Sequence, residues 1–258
     1  MRMELRISSG KERIVLPLDY NYHLQGFLYN GVSPELASFL HDKGFEYEKR
    51  SFRMFTFSKL MGKYEIKDGT ITFTMPVRLV ISSPLDRFVS ELANTMLTSK
   101  ELKLCGEDIT VEEISVLERP EIKSRMRIRL VTPLVAYSTL LTPEGRKKTY
   151  YYNPLEPEFA EIIDGNMRKK YQAFYGKEPR ARKLSLKPER FNERIVKYRD
   201  NVIKGYTGTF LIDGNRRLLE LAYDCGLGSK NSQGFGMFNV LGDQTGNTES
   251  APKDSAVK

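Results

Sequence analysis

Two stretches of this 258-residue chain carry residue types and spacings suited to chemistry. In the first, a short pattern occurs twice, as Leu24-Gln-Gly-Phe27-Leu28-Tyr29 and as Leu36-Ala-Ser-Phe39-Leu40-His41. At about 100° per residue the Leu, Phe and Leu of each copy share one helical face, and the sixth residue lies off it. Tyr29 and His41 are therefore expected to point away from the core. Histidine exchanges protons near neutral pH, which suits it to general acid or base work. Lys49, Arg50 and Arg53 follow closely and supply cations for a phosphorane-like transition state. A tyrosine, a histidine and a cation together meet the needs of RNA cleavage without metal. A ribose 2′-OH is activated, a pentacovalent phosphate is stabilised, and the 5′-oxygen leaves with a proton. The residue types leave open whether His41 is the base or the acid. His23, at the flank of its helix's apolar face, reads as a packing or RNA-contact residue.

The second stretch, Gly226-Leu-Gly-Ser-Lys-Asn-Ser-Gln-Gly-Phe-Gly236, sets two Gly-x-Gly units around Lys230. Glycine reaches φ > 0 without strain, so backbone amides can gather closely around an anion such as phosphate. Asn231 stands where a dinucleotide fingerprint needs its third glycine, and the Gly-Lys-Ser/Thr of a P-loop is absent. A helical pattern precedes this loop and a strand follows it, the reverse of loops that use a helix N-terminus. The loop itself holds no histidine or tyrosine. It is predicted to clamp RNA backbone through Gly226, Gly228, Lys230, Gly234 and Gly236, leaving proton transfer to Tyr29 and His41.

The elements that must position these residues follow from periodicity. Leu5 and Ile7 mark a first strand, helices follow over about 21–30 and from Pro34 to Gly44, and strands are predicted over Arg53 to Met61 and Thr70 to Ile81. Leu85, Phe88 and Leu92 stripe a helix, and Ile109 to Leu117 forms the next strand. The second half repeats the order, with a strand at Met126 to Leu130, a helix from Pro157 to Tyr175, hairpin material at Lys183 to Lys187 and Ile195 to Ile212, a helix from Asn215 to Tyr223 and a strand from Phe235 to Leu241. The fold predicted is α+β, with two tandem ferredoxin-like, RRM-like domains built on antiparallel sheets. They span 1–118 and 122–241, and 242–258 reads as a disordered tail.

The net charge of +8 and pI near 9.3 favour a polyanionic partner. Residues 166–204 hold 13 Lys/Arg against 4 Asp/Glu, so the surplus is concentrated there. Arg168, Lys169, Lys170, Arg180, Arg182 and Lys183 are predicted to contact phosphates rather than bases. Tyr150, Tyr151 and Tyr152 are candidates either for stacking on exposed bases or for strand core. Cys105 and Cys225 are too few for a disulfide framework and point to a reducing compartment. With two histidines no His/Cys metal cluster is available, and no metal or other cofactor is expected. The N-terminus is charged where a signal peptide needs an apolar core, and no apolar run approaches a membrane span. A cytoplasmic location without a membrane partner is expected.

The glycine loop, the elements Leu24-Gln-Gly-Phe-Leu-Tyr29-Asn and Leu40-His41, and the following Met54-Phe-Thr-Phe-Ser58 together resemble the family-six CRISPR-associated endoribonucleases of the RAMP superfamily, which cut CRISPR repeat transcripts into guide RNAs. The resemblance runs from about Met1 to Leu241. It implies a repeat RNA substrate and cleavage without metal to 2′,3′-cyclic phosphate and 5′-hydroxyl ends. The family's catalytic tyrosine and histidine fall on Tyr29 and His41, and its lysine falls on Arg53. Arginine keeps the charge but does not readily release a proton, and Lys49 is the other candidate cation. The partners implied are pre-crRNA and other Cas proteins of an interference complex, with the chain a monomer or homodimer. The alternative role implied is a catalytically inactive RNA-binding subunit of such a complex.

Overall fold

The computed structural model describes residues 1–99, 101–180 and 182–242; of the predicted disordered tail at 242–258, residues 243–258 lie outside the described residues. In chain order the first half runs β1 (Arg2–Ser8), β2 (Arg13–Pro17), α1 (Tyr20–Asn30), α2 (Pro34–Ser38), β3 (Phe45–Tyr47), β4 (Arg50–Phe52), β5 (Thr56–Phe57), β6 (Tyr64–Lys67), β7 (Thr70–Thr74), β8 (Val77–Ser82), α3 (Asp86–Thr98), β9 (Leu102–Leu104) and β10 (Glu107–Val116). The alternation of Met3, Leu5 and Ile7 turns one face of β1 into the core. This strand lies between β8 and β10, antiparallel to both, in a sheet of order β5-β8-β1-β10-β9. Leu24, Phe27 and Leu28 of α1 and Phe88, Leu92 and Met96 of α3 belong to the same buried cluster as that face.

The second half comprises β11 (Arg125–Leu130), β12 (Tyr137–Leu141), β13 (Lys147–Tyr151), α4 (Pro157–Tyr175), β14 (Ser185–Tyr198), β15 (Asn201–Asp213), α5 (Arg216–Cys225) and β16 (Phe238–Val240). Its sheet has the order β14-β15-β11-β16. Both halves thus place the first strand between the third and fourth and the second at the edge, the ferredoxin-like arrangement. Helix α4 opens with Pro157 in its first turn and ends on Gly176 in the left-handed region; Asn215 caps α5 by accepting from the amides of Arg217 and Leu218.

Two predicted strands are corrected. Thr70 to Ile81 is two strands in different sheets, because Pro76 between them has no amide hydrogen to give to a ladder. β7 joins β2 and β6 in a small separate sheet, and β8 joins the main one. Of Arg53 to Met61 only β5 is a strand. Met54 takes a positive φ of 56° and its side chain is buried in the core cluster of the second half.

That crossing is part of a polar and apolar seam. Arg2 donates to the carbonyls of Tyr223 (2.9 Å) and Phe238 (3.1 Å) and to Asn239 Oδ1 (2.9 Å), with its guanidinium 3.7 Å above the Tyr223 ring. Thr56 Oγ1 donates to the Phe235 carbonyl at 3.0 Å. The two halves therefore meet along β5, β8 and the glycine-rich loop between α5 and β16. Among the described residues no helix is long and apolar enough to cross a membrane.

Candidate active site

Tyr29 lies one residue before the end of α1, and His41 lies in a π-helical turn, Phe39–Lys43, that continues α2. Widened turns of this kind recur at functional sites. The turn closes through Gly44, at φ 65°, whose amide donates to the Phe39 carbonyl at 2.6 Å. Leu40 is buried, while the His41 side chain is 73% exposed, so the outward direction expected from periodicity is found despite the change of helix type. The rings of Tyr29 and His41 meet edge to face at 5.7 Å, and Tyr29 rests against Phe55 at the same separation.

Arg53 ties this pair to the neighbouring hairpin of β3 and β4. Its guanidinium donates to the His41 carbonyl at 2.6 Å and to the Ser51 carbonyl and hydroxyl at 3.1 and 3.0 Å. Burial pushes the Tyr29 phenol above its ordinary pKa, and the Arg53 guanidinium beside it pulls the other way. The net direction is upward, so Tyr29 is a protonated hydrogen-bond donor at neutral pH.

His41 Nδ1 lies 2.8 Å from Asp42 Oδ1. Hydrogen bonds from His41 and then Ser38 hold the Asp42 carboxyl below the usual carboxylate range. An ionised carboxylate only accepts, so Nδ1 carries the proton and Nε2 of the neutral ring is left with the free lone pair. Asp42 was not singled out from the sequence, although it is the next residue in the chain.

The glycine loop faces the same cleft. A hollow of about 460 Å³ is lined by Tyr29, His41 and Arg53 from the first half and by Ser229, Lys230 and Gln233 from the second. Lys230, at φ 62°, carries its ammonium 5.3 Å from the Tyr137 ring centroid, and burial lowers its pKa. Gln25, Tyr137 and Asn166 also line the cleft and were not expected there. Tyr137 and Asn166 are hidden by their distance in the chain from the motifs, whereas Gln25 lies within the first motif and only the fold shows that it faces the cleft. Arg50 lines it too, whereas Lys49 sits exposed at the tip of the β3–β4 hairpin and does not.

Three groups of predicted RNA contacts need restating. Gly226, Gly228, Gly234 and Gly236 are buried, and a Cβ on each would meet protein: the Asn231 side chain at 2.6 Å, the Val135 carbonyl at 2.6 Å, the Phe57 ring at 2.8 Å and the Leu227 carbonyl at 2.0 Å, respectively. Their backbone freedom serves close packing, within the second half at Gly226, Gly228 and Gly236 and against the first half at Gly234, and the loop's accessible part is Ser229, Lys230, Ser232 and Gln233. Lys170 is 3% exposed and bonded inside the protein, so it is not a phosphate contact on the surface. The other cations do not form one patch. Arg168 bonds Asp164 at 2.9 Å, Lys169 pairs with Glu48 and Arg182 with Asp213. Arg180 lines a separate hollow beside Asn215 and Arg217, and Lys183 is exposed. Tyr150 is exposed and donates to Glu156 Oε1 at 2.6 Å, and Tyr151 and Tyr152 are half-buried. Among the described residues no group of three or more His, Cys, Asp or Glu side chains is placed to hold a metal ion.

Both halves of the chain match models of one family. Residues 15–115 match the N-terminal model of CRISPR-associated protein Cas6, and residues 117–240 match its C-terminal model. The chain belongs to the CRISPR-associated Cas6 family. A CRISPR-associated endoribonuclease Cas6 of Pyrococcus furiosus is 28% identical over 257 residues, covering 95% of this chain and 92% of its own. CRISPR-associated endoribonuclease Cas6 1 of Methanocaldococcus jannaschii is 28% identical over 243 residues, covering 92% and 91%. The solved structure of a Cas6-related gene product from Pyrococcus furiosus superposes with a TM-score of 0.83 at 22% identity, covering 95% of this chain and 99% of that one. At that identity the likeness shows the shared fold, which in the Cas6 family is this pair of ferredoxin-like sheets.

Proposed function

We propose that this protein is an endoribonuclease that cuts CRISPR repeat RNA by attack of a ribose 2′-OH on the adjacent phosphate, without metal. The single observation that carries this reading is the shared cleft: Tyr29, His41 and Arg53 of one half face the Lys230 loop of the other. The Cas6 relatives named endoribonucleases support the reaction class. His41 Nε2, with Nδ1 committed to Asp42, takes the 2′-OH proton. The 2′-oxygen closes on phosphorus, Tyr29 donates a hydrogen bond to the developing negative charge, and Arg53 and Lys230 offset it. The phosphorus–5′-oxygen bond breaks, leaving a 2′,3′-cyclic phosphate, and the 5′-oxygen takes its proton from solvent, to which the cleft is open.

The test is incubation of a repeat transcript in EDTA with end-group mapping of the products. A single cut with 2′,3′-cyclic phosphate and 5′-hydroxyl ends is expected, slowed about 10²–10⁴-fold in His41→Ala. Cleavage undiminished in His41→Ala would remove that residue from the mechanism. Tight binding of uncut RNA by the intact protein would instead assign the chain to the non-cleaving, RNA-holding role.

A further inference from the structure

Lys170 stands apart from the other cations of α4. Its side chain leaves the helix inward and ends beneath the glycine loop, where all three donors of the ammonium are used: the Gly226 carbonyl at 2.8 Å, the Gly228 carbonyl at 2.9 Å and Asn231 Oδ1 at 2.6 Å. An ammonium has three hydrogens and no acceptor, so this ring of three oxygens satisfies it completely. Asn231 continues the bracing, since its Nδ2 donates to the Leu227 carbonyl at 2.8 Å and the Phe235 carbonyl at 3.0 Å. The loop is thereby cross-tied on both arms, and Ser229 and Lys230 lie between the residues so held.

We infer that Lys170 is a positioning residue, a buried latch that fixes the glycine-rich loop so that Lys230 is presented to RNA in the catalytic cleft. The geometry is selective for this role. Carbonyl oxygens crowded around a buried site repel one another, and a cation at their centre converts that repulsion into charge-assisted hydrogen bonds. Removing the ammonium leaves three buried oxygens with a partner lost: the carbonyls of Gly226 and Gly228, on the arm of the loop that leads to Lys230, and Oδ1 of Asn231. The amino acid nearest in shape, methionine, fills the space and supplies no donor.

This inference rests on the RNA-cleaving reading for its consequence and not for its geometry, so two measurements separate them. In the free protein, amide hydrogen exchange over 226–236 is expected to quicken at least tenfold in Lys170→Met, while the core of β1 and β8 keeps its protection. Unchanged loop exchange overturns the latch whatever the substrate proves to be. The second measurement is a double-mutant cycle on affinity for single-stranded repeat RNA, in a His41→Ala background that prevents turnover. Lys170→Met is expected to weaken binding about as much as Lys230→Ala, and the double variant to be little weaker than either alone, because the two act through one contact. Additive losses would mean a general structural role and overturn the positioning claim. Where Lys170→Met does not accumulate folded, Lys170→Gln, a shorter side chain that keeps a donor, carries the same cycle with the same expected non-additivity.

Discussion

Tyr29 sits where burial and a cation pull its phenol in opposite directions, and burial prevails. A phenol whose folded pKa is raised stays protonated across the neutral range, so it donates a hydrogen bond and does not titrate there. Tyr29→Phe keeps the edge contact with Phe55 and removes only the donor. Cleavage should fall on the order of 10²-fold, and the rate profile between pH 6 and 9 should drop in height without changing shape. Loss of a limb of that profile in Tyr29→Phe would show that the phenol itself titrates in the reaction. Arg53 shows the other side of the same economy: by bonding the His41 carbonyl it holds the histidine's backbone while its charge faces the tyrosine.

At the scale of elements, the glycine loop between α5 and β16 is a packed joint with a short accessible crest. Gly236 is the tightest point, at φ 77° with the Leu227 carbonyl 2.0 Å from where a Cβ would stand. A non-glycine residue in the left-handed region costs roughly 1–2 kcal/mol before any clash. Gly236→Ala should therefore lose at least about 2 kcal/mol, which for a chain of this size lowers Tm by roughly 4–8 °C in calorimetry. An unchanged Tm would mean that the loop relaxes freely and that its glycines are kept for the ligand after all. The π-helical turn at Phe39–Lys43 is a second device at this scale, placing His41 beside Tyr29 although the two stand on different helices.

At the scale of the whole molecule, catalytic residues on one half and the loop on the other work together only if the seam is rigid. Arg2 is its central tie, buried, stacked on Tyr223 and bonded to two backbone carbonyls of the second half. A buried acceptor left unpaired costs about 1–3 kcal/mol. Arg2→Met should consequently uncouple the halves, so that a single thermal transition in the wild type separates into two. One cooperative transition retained in Arg2→Met would show that the apolar contacts, with Met54 crossing the seam, suffice.

The order of the helices and of the principal strands of the two main sheets was legible in the sequence because it depends on near neighbours, as in the period of two in Met126 to Leu130 and the period of 3.6 in α1. The short strands β2, β3, β4, β6, β9, β12 and β13 were not. The outward placement of His41 was legible for the same reason as the helices, whereas Tyr29, expected to point away from the core, is partly buried and packs on Phe55 at the edge of it. The small sheet of β2, β7 and β6 was not legible, because Pro76 divides a stretch whose alternation reads as continuous. Nor was the true place of Lys170. In sequence it is one cation in a basic run, and only the fold brings it under carbonyls 56 and 58 residues away. Local periodicity determines which face a side chain takes; what occupies the space opposite that face is decided by chain segments that meet only in three dimensions.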